Sequence, residues 1–284
     1  MPTYALLGAT GSTGSAVLNH LLTHPSPALT LNLYVRSASK LYRLHPSLSP
    51  TPPKQPTINI FEGTLETPEI LAQALKGADV IFLCIAENAN IPGMSVATDA
   101  AKAIIRACEG LKRTEEKGGG YKAPTVVVLS SSSVNPKLAS ATPRAVKRML
   151  EMALNWAYAD LRRAEGLYRS LHDSSGDKKE AELLNVIFAQ PGALVPAIEK
   201  DKPTGHVLST EKSSRMVSYA DLGVGMVEMA EKWEELGLEW KGVSVNATGA
   251  VRFDIWNKIM VLSIGLVANW APGVWRRGRG RGWW

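Results

Sequence analysis

The sequence predicts an α/β fold, a doubly wound parallel sheet of the Rossmann type. Short apolar runs rich in β-branched residues alternate along the chain with longer segments of helical pattern. Continuous apolar runs suit strands that helices cover on both faces, and the alternation implies right-handed crossovers. A glycine-rich turn follows the first run directly, which is typical of dinucleotide-binding sheets.

The first apolar run is followed by a predicted helix from about Ser15 to Leu22. A proline-rich stretch at residues 46–56 is too interrupted for regular structure. Polar stretches at Thr114–Tyr121 and His172–Lys179 are predicted surface insertions. Six runs are predicted strands: Tyr4–Leu7, Leu31–Arg36, Ile58–Glu62, Val80–Ile85, Thr125–Leu129 and Asn185–Ala189.

The alternation divides the chain into three predicted parts. Residues 1–192 are predicted to form an NAD(P)-binding domain, and residues 193–270 a small substrate-binding cap integrated with it over the carboxyl edge of the sheet. Within the cap we expect a helix near Tyr219–Leu236, a strand near Val243–Ala247 and a helix near Arg252–Val267. The basic residues 271–284 are predicted to be a disordered tail.

The composition excludes several classes of protein. With 284 residues, 45% of them hydrophobic and 20% charged, the chain is long and apolar enough for a sizeable core. The net charge is +6, but four cations lie in the last nine residues, so the remainder carries only +2 and indicates no nucleic-acid-binding surface. Two cysteines make no disulfide framework, and five scattered histidines predict no metal site. Because the amino terminus lacks a secretory signal pattern, we expect a cytoplasmic protein.

The turn after the first strand predicts a dinucleotide diphosphate site. It reads Gly8, Ala9, Thr10, Gly11, Ser12, Thr13 and Gly14, and it opens a helix. Gly8 permits a tight turn, Gly11 a close approach of backbone to the diphosphate, and Gly14 close packing of helix on strand. The helix amino terminus then offers the anion free N–H groups and a positive dipole end.

The end of the second strand predicts NADP(H) as the cofactor. An NAD site usually places an acid there to hold the ribose hydroxyls, whereas an NADP site places a cation against the 2′-phosphate. Here Arg36 follows the strand, with Ser37 and Lys40 as further donors and no acid nearby in sequence. The alternative is that Arg36 is a solvated surface cation.

These residues resemble the short-chain dehydrogenase/reductase superfamily in its atypical NmrA-like branch. The resemblance rests on the glycine loop, on Arg36, and on the segments Ala78-Asp79-Val80 and Gln190–Leu194. Met1–Gly8 and Ser218–Gly223 are more narrowly similar to fungal oxidoreductases of aflatoxin-type gene clusters. The resemblance implies an NADPH-dependent reductase that acts on an aromatic polyketide, of the anthraquinone or xanthone type.

The superfamily resemblance also implies a catalytic constellation. It consists of a Ser that orients the carbonyl, a Tyr that supplies a proton, and a Lys four residues later on the same helix face. Tyr158 occupies the tyrosine position, Arg162 replaces the expected Lys, and Ser133, with Ser131, follows the fifth strand. We expect period-two geometry to place Ser131 and Ser133 on one side. The alternatives are a core aromatic for Tyr158 and loop polarity for the serines.

Further cofactor contacts follow from topology, because ligands of such sheets lie outside the carboxyl ends of the strands. We therefore expect Gly63 near the adenine, Ile85 and Ala86 near the middle of the cofactor, and Pro191 and Gly192 near the nicotinamide.

Two other functions remain open at this point. The NmrA-like resemblance permits an NADP-sensing regulatory protein, which needs the glycine loop and Arg36 but no proton donor. An isomerase or epoxide-opening enzyme of the same pathway would use the fold without net redox change. The apolar stretch Ile259–Ala271 is too short to span a bilayer, although Trp and Arg near the end of the chain permit weak interfacial contact with a membrane. The oligomeric state is left open.

Overall fold

A computed structural model describes residues 1–48, 56–87, 89–115, 120–175, 183–199, 201–251 and 255–280. The strands are β1 (Thr3–Leu7), β2 (Thr30–Val35), β3 (Thr57–Glu62), β4 (Val80–Leu83), β5 (Thr125–Leu129), β6 (Asn185–Ala189), β7 (Ala193–Val195), β8 (His206–Ser209), β9 (Met216–Ser218) and β10 (Gly242–Ala247). The α-helices are α1 (Ser12–Thr23), α2 (Ala38–Leu44), α3 (Pro68–Leu75), α4 (Val96–Glu115), α5 (Arg144–Ala153), α6 (Asn155–Ser175), α7 (Tyr219–Glu231), α8 (Ile255–Trp270) and α9 (Pro272–Gly280).

The described strands form an eight-stranded sheet in the order β3-β2-β1-β4-β5-β6-β10-β8. All pairings in it are parallel except that of β8 with β10. The order 3-2-1-4-5-6 is that of a doubly wound dinucleotide-binding sheet, so the predicted fold class is confirmed. The strand order reverses beside β1, which lies between β2 and β4.

Two apolar cores cover the two faces of the sheet. Because side chains alternate along a strand, Leu6 and Phe82 enter one core while Leu7 and Ile81 enter the other. Helices α1 and α7 complete the first core, and α3, α4 and α6 complete the second. The central strands are therefore buried on both faces, as their continuous apolar runs predict.

The part of the chain after residue 193 contributes more to this sheet than the sequence predicts. Strand β10 pairs with β6, and β8 pairs with β10, so both extend the main sheet, and α7 packs beneath it against α1. Val243 and Val245 of β10 are fully buried, because a place inside the sheet removes these apolar side chains from water. Strands β8 and β10 and helix α7 thus belong to the main sheet and its core and not to a cap over the carboxyl edge. The predicted substrate cap is then limited to the small β7–β9 sheet and α8, for which it stays a prediction.

The basic end of the chain also differs from the prediction of a disordered tail, because residues 272–280 form α9. The Trp275 amide donates to the carbonyl of Ala271, and its indole is buried, with the Arg279 guanidinium over the ring. Burial of one large aromatic side chain offsets the ordering of a short basic helix. In the described part of the chain, no helix is both long and apolar enough to cross a membrane.

Helices α1 and α7 approach each other at a glycine. A β-carbon added at Gly223 would lie 2.6 Å from the carbonyl carbon of Ala16, which is backbone and cannot turn away. Thus the contact that seats α7 under the sheet depends on the missing side chain.

We expect Gly223→Ala to destabilise the protein by about 1–3 kcal/mol, because overpacking at a backbone contact forces the two helices apart. Urea unfolding followed by circular dichroism measures the change.

Gly166→Ala is the matched control, because Gly166 also lies within a helix but a β-carbon there meets nothing within 4 Å. It should raise stability by up to about 1 kcal/mol through helix propensity. Equal effects of the two substitutions would contradict the packing interpretation.

Candidate cofactor site and active site

The residues proposed from the sequence converge on the carboxyl edge of the sheet. Each follows the carboxyl end of a parallel strand or lies on a helix that packs beside it, and parallel strands bring these ends to one edge. A separate cavity of about 260 Å³ lies at the amino edge, lined among others by Asp79, Cys108 and Tyr121. Since that cavity is at the opposite end of the strands, it does not belong to this site.

The glycine loop between β1 and α1 forms a cradle in which backbone packs directly against backbone. Gly8 has a φ of +89°, and a β-carbon there would lie 2.7 Å from the carbonyl oxygen of Cys84. A β-carbon at Gly14 would lie 2.2 Å from the carbonyl oxygen of Gly8. Both contacts are backbone to backbone, so only glycine allows this approach of helix to strand.

The amino terminus of α1 opens at the top of this cradle. The Ser15 amide bonds to the Gly11 carbonyl at 2.8 Å, so the amides of Ser12, Thr13 and Gly14 precede the first bond of the helix. Gly11 caps the helix without a side-chain bond, which leaves the approach open. Such a helix start binds anions through N–H groups and its dipole.

Tyr219 supports the same loop from below, a contact that sequence reasoning missed. It is the first residue of α7, which packs against α1, and Ser12 at the start of α1 is close enough to influence its pKa. Burial raises the pKa of Tyr219 above its ordinary value, and Ser12 opposes the rise. The neutral hydroxyl can therefore position the Ser12 side chain at the start of α1.

The second-strand residues lie at the amino terminus of α2, a helix that the sequence analysis did not predict. Ser37 caps it by accepting from the Lys40 amide at 3.2 Å, while Arg36 and Lys40 are exposed. Glu62 of β3 accepts from the Ala38 amide at 2.9 Å. No acid lies near Arg36 in the sequence, but Glu62 of the neighbouring strand lies at the helix start that Arg36 and Lys40 flank.

The turn after β3 is held by a tyrosine from β2. The Tyr34 hydroxyl donates to the carbonyl of Thr64 at 2.6 Å and contacts the Thr67 hydroxyl at 3.1 Å. A β-carbon at Gly63 would lie 2.8 Å from that tyrosine hydroxyl. Gly63 therefore allows the turn to pack against Tyr34, beside the start of α2.

The remaining predicted contacts also lie at this edge. Ile85 and Ala86 follow β4, which ends at Leu83 instead of Ile85, and Ala86 is exposed. Pro191 and Gly192 lie between β6 and β7, and a β-carbon at Gly192 would lie 2.2 Å from the Ser214 carbonyl oxygen. The structure thus brings these residues to the expected edge.

Tyr158 lies in α6 with its side chain buried, only 6% exposed. Burial raises its pKa above the ordinary value of 10.0, and hydrogen bonding with Ser133 and, more weakly, Ser131 opposes the rise. The phenol is therefore protonated at neutral pH, and α6 packs against the turn that carries the candidate serines. This geometry can hold a proton beside a substrate oxygen.

The two serines are brought together for a different reason from the one predicted. Residues 132–134 form a single 3₁₀ turn, so period-two strand geometry does not apply to them. Instead the Ser131 hydroxyl caps this turn and accepts from the Ser133 amide at 3.3 Å. The expected proximity is present, but the strand argument for it is wrong.

Arg162 lies beside Tyr158 but is already paired. Its guanidinium carbon is 6.0 Å from the centre of the Tyr158 ring, and a guanidinium nitrogen bonds to the Glu151 carboxylate of α5. Glu151 raises the Tyr158 pKa while Arg162 lowers it, so the pair partly cancels. The expected positive charge is present without a free compact ammonium.

Helix α6 is fixed by polar anchors at its first turns. Asp160 is 1% exposed and accepts from the amides of Ala97 and Thr98 at the start of α4, at 2.8 and 3.1 Å. Asn90 accepts from the Trp156 and Ala157 amides at 3.0 and 3.2 Å. Charge-assisted bonds to helix amides stabilise a buried carboxylate, so these anchors set the position of Tyr158.

One more polar cluster underlies the serine loop. Glu165 accepts from the Ser130 hydroxyl at 2.5 Å and from the Gln190 side-chain amide at 2.7 Å. Gln190 in turn accepts from Asn135 at 2.7 Å. Spacing gives no signal of this cluster, since its members come from three separate segments, after β5, in α6 and after β6.

The geometry agrees with a known family. The family model described as NAD(P)H-binding matches residues 8–232, well over half of the chain. The chain belongs to this family.

The NAD(P)H-binding match is accompanied by fungal relatives of similar length. Averufin oxidase stcO of Emericella nidulans is 40% identical over 266 residues, which cover 89% of this chain and 84% of the relative. Averufin oxidase A of Aspergillus flavus is 36% identical, covering 89% and 85%. Oxidoreductase aflX of Aspergillus parasiticus is 33% identical, covering 97% and 95%. The predicted resemblance is confirmed, and the protein is an NAD(P)H-dependent oxidoreductase.

Solved structures agree on the fold. A short-chain dehydrogenase/reductase from Veillonella parvula in complex with NADP is 18% identical with a TM-score of 0.61, covering 87% of this chain and 95% of its own. Gre2 from Candida albicans is 15% identical with a TM-score of 0.55, covering 96% and 84%. At these identities the likeness establishes the shared fold alone.

The residues present fit a bound dinucleotide. A β-carbon at Gly11 would have only the Gly8 carbonyl oxygen within 4 Å, at 3.4 Å, so the space in front of the loop is open there. The amides that open α1 face the edge where the strand order reverses. The described residues contain no cluster of three His, Cys, Asp or Glu side chains arranged for a metal ion.

We expect Glu151→Gln to lower the pKa of Tyr158, because it removes a negative charge that raises it and leaves Arg162 less neutralised. The measurement is the ultraviolet tyrosinate titration, taken as the difference between each protein and the same protein carrying Tyr158→Phe.

Glu199→Gln is the control, since Glu199 forms a comparable surface ion pair with Lys202 away from Tyr158. It should leave the titration unchanged. A Tyr158 pKa below 10.0 in the unaltered protein would contradict the described environment.

Proposed function

We propose that this protein is an NADPH-dependent reductase that acts on an aromatic polyketide intermediate of fungal secondary metabolism, of the anthraquinone or xanthone type. The observation that carries the proposal is the buried Tyr158 on α6, which packs against the serine turn at the same sheet edge as the glycine cradle. A proton donor and a dinucleotide cradle are together the requirements of carbonyl reduction.

Support for NADP(H) comes from the start of α2. Arg36 and Lys40 are exposed cations directly after β2, and a guanidinium matches a phosphate by two parallel hydrogen bonds. The Glu62 carboxylate accepts a hydrogen bond from the Ala38 amide. One of its oxygens is therefore already engaged, which limits its contact with the ribose hydroxyls. Thus Arg36, Ser37 and Lys40 would hold the 2′-phosphate, and Gly63 would leave room for the adenine.

The diphosphate would bind at the start of α1. The amides of Ser12, Thr13 and Gly14 would bind its oxygens, with Gly11 allowing the close approach and the Thr10 and Ser12 side chains beside them. Ile85 and Ala86 would border the middle of the dinucleotide, and Pro191 and Gly192 its nicotinamide end. When bound, the nicotinamide supplies the hydride.

Side chains of the protein then orient and protonate the carbonyl oxygen of the substrate. Ser133, with Ser131 behind it, donates a hydrogen bond that orients the oxygen, and Tyr158 delivers its phenolic proton to that oxygen as negative charge develops. Arg162 acts through Tyr158 by its positive charge, which Glu151 moderates. Desolvation of the phenol keeps the proton in place until the alkoxide forms.

The substrate class is supported by the relatives. They include averufin oxidases at 36–40% identity that match 89% of the chain. The product mass decides the reaction class: reduction adds two hydrogens, oxidation removes two, and isomerisation or epoxide opening without redox change leaves the hydrogen count as it is.

We expect Tyr158→Phe to lower kcat by at least about 100-fold with little change in KM for NADPH, since loss of a general acid costs about 10²–10⁴ in rate. NADPH oxidation with averufin-type anthraquinones and xanthone precursors as substrates measures it.

Tyr121→Phe is the matched control, because Tyr121 donates its hydroxyl to the Leu183 carbonyl at the opposite, amino edge. It should retain turnover. Unchanged turnover in the Tyr158 variant removes that residue from the mechanism, while tight NADPH binding with no turnover of any substrate supports the regulatory alternative.

We expect Arg36→Ala to weaken NADPH binding about 10–100-fold, because it removes charge-assisted bonds worth about 1.5–3 kcal/mol. NADH binding should change less than about twofold, since NADH lacks the 2′-phosphate. Calorimetric titration with both nucleotides measures the two constants.

Arg43→Ala is the control at the other end of α2, where it removes the same charge. Equal losses for NADPH and NADH, or no loss for either, would contradict recognition of the 2′-phosphate by Arg36.

A further inference from the structure

Helices α8 and α9 form one bent amphipathic rod with a buried and an exposed side. The amide of Ala271 donates to Val267 and that of Trp275 to Ala271, so helical bonding continues past Pro272. The buried side carries Ala268, Trp275 and Gly278.

Large apolar side chains lie on an exposed strip beside this buried side. Met260 is 55% exposed, Trp270 74% and Val274 51%. Their separations of ten and four residues place them on one helix face. Arg277 follows Trp270 by seven residues and so lies on the same side, next to Arg276 in the chain. We call this row, together with Arg277 and its neighbour Arg276, the outer face of α8 and α9. An aligned row of exposed apolar residues marks an interaction surface more often than single exposed ones do.

The charge around this surface has one sign. Arg276, Arg277 and Arg279 are exposed, and from residue 255 to the end the sequence contains five cations and no Asp or Glu. A second copy of the chain that packed through the same surface would bring only cations against these cations. The complementary partner must therefore be anionic and must also accept exposed apolar side chains.

An anionic lipid surface meets both requirements. Tryptophan partitions to the boundary between headgroups and acyl chains, while arginines bind headgroup phosphates. Single-stranded RNA would satisfy the arginines but would leave Met260 and Val274 exposed to water. Because no described helix can cross a bilayer, the rod would lie along the surface.

We propose that the outer face of α8 and α9 is a docking surface for anionic phospholipid membranes. Trp270 and Val274 enter the boundary region, and Arg276 and Arg277 bind the headgroups. This docking is independent of the proposed reductase chemistry, since none of these residues belongs to the cofactor site or the active site.

The test is flotation of the full-length protein with phosphatidylcholine vesicles that contain or lack phosphatidylserine. Binding should require phosphatidylserine and weaken as salt rises, because salt screens charges at a surface. Arg276→Gln with Arg277→Gln should weaken binding about thirtyfold, as each cation near an anionic surface contributes about a factor of five. Trp270→Ala with Val274→Ala should weaken binding and remove its salt-resistant part.

Lys102→Gln with Arg106→Gln is the charge-matched control, since both side chains are exposed on α4. It should bind vesicles as the unaltered protein does. The thermal midpoint and NADPH affinity of all variants should match the unaltered protein, because the changed side chains are exposed.

Three results would overturn the proposal: no binding to phosphatidylserine vesicles, equal losses in the α9 and α4 charge variants, or self-association that the Trp270 and Val274 changes abolish without any lipid binding. Preferential binding of single-stranded RNA over vesicles would likewise replace the membrane as the partner.

Discussion

The backbone contact between Gly14 and Gly8 is the constraint on which the rest of the molecule depends. Only without β-carbons can the first turn of α1 lie against the end of β1, and β1 against the segment after β4. This contact aims the first amides of α1 at the point where the strand order reverses. It also positions Ala16, against which Gly223 seats α7, so the cofactor site and one of the two cores share a single geometric origin.

The active-site side chain depends on a second constraint, the polar anchoring of α6. Tyr158 and Asp160 are two residues apart, so they point to different sides of the helix. One side presents the phenol to the serine turn, while the other binds the amides that open α4. A buried carboxylate that satisfies helix amides resists displacement more than apolar packing alone, because moving it would leave a charge unpaired. The proton donor is therefore held by a residue that takes no part in the chemistry.

The sequence predicts the parts of this arrangement that local pattern encodes. The bounds of the first six strands are predicted to within two residues, since each strand is a continuous apolar run. The glycine loop is also predictable, because the spacing of its glycines reflects backbone contacts within seven residues. Glu62 at the start of α2 and Glu151 beside Arg162 are not predictable in this way, because both pairs join elements whose packing no local pattern specifies. The helix predicted near Tyr219–Leu236 corresponds to α7, and Ser218 and Asp221 at its start have the spacing of a helix cap. The strands β7 to β9 are too short to show a period.

The replacement of the expected lysine by Arg162 bears on the direction of the reaction. A lysine ammonium free to approach Tyr158 would lower the pKa of the phenol and supply the tyrosinate needed to accept a proton during oxidation. Here the guanidinium is paired with Glu151, so burial dominates and the pKa of Tyr158 stays above its ordinary value. At neutral pH the site therefore holds the acid form almost entirely, which is the reactive form for reduction. Oxidation would need the rare tyrosinate and would accelerate as pH rises toward the pKa, whereas reduction would be insensitive to pH below it. The pH dependence of the rate therefore distinguishes the two directions, while the equilibrium between them is set by the substrate, the nucleotide and the pH and not by Tyr158.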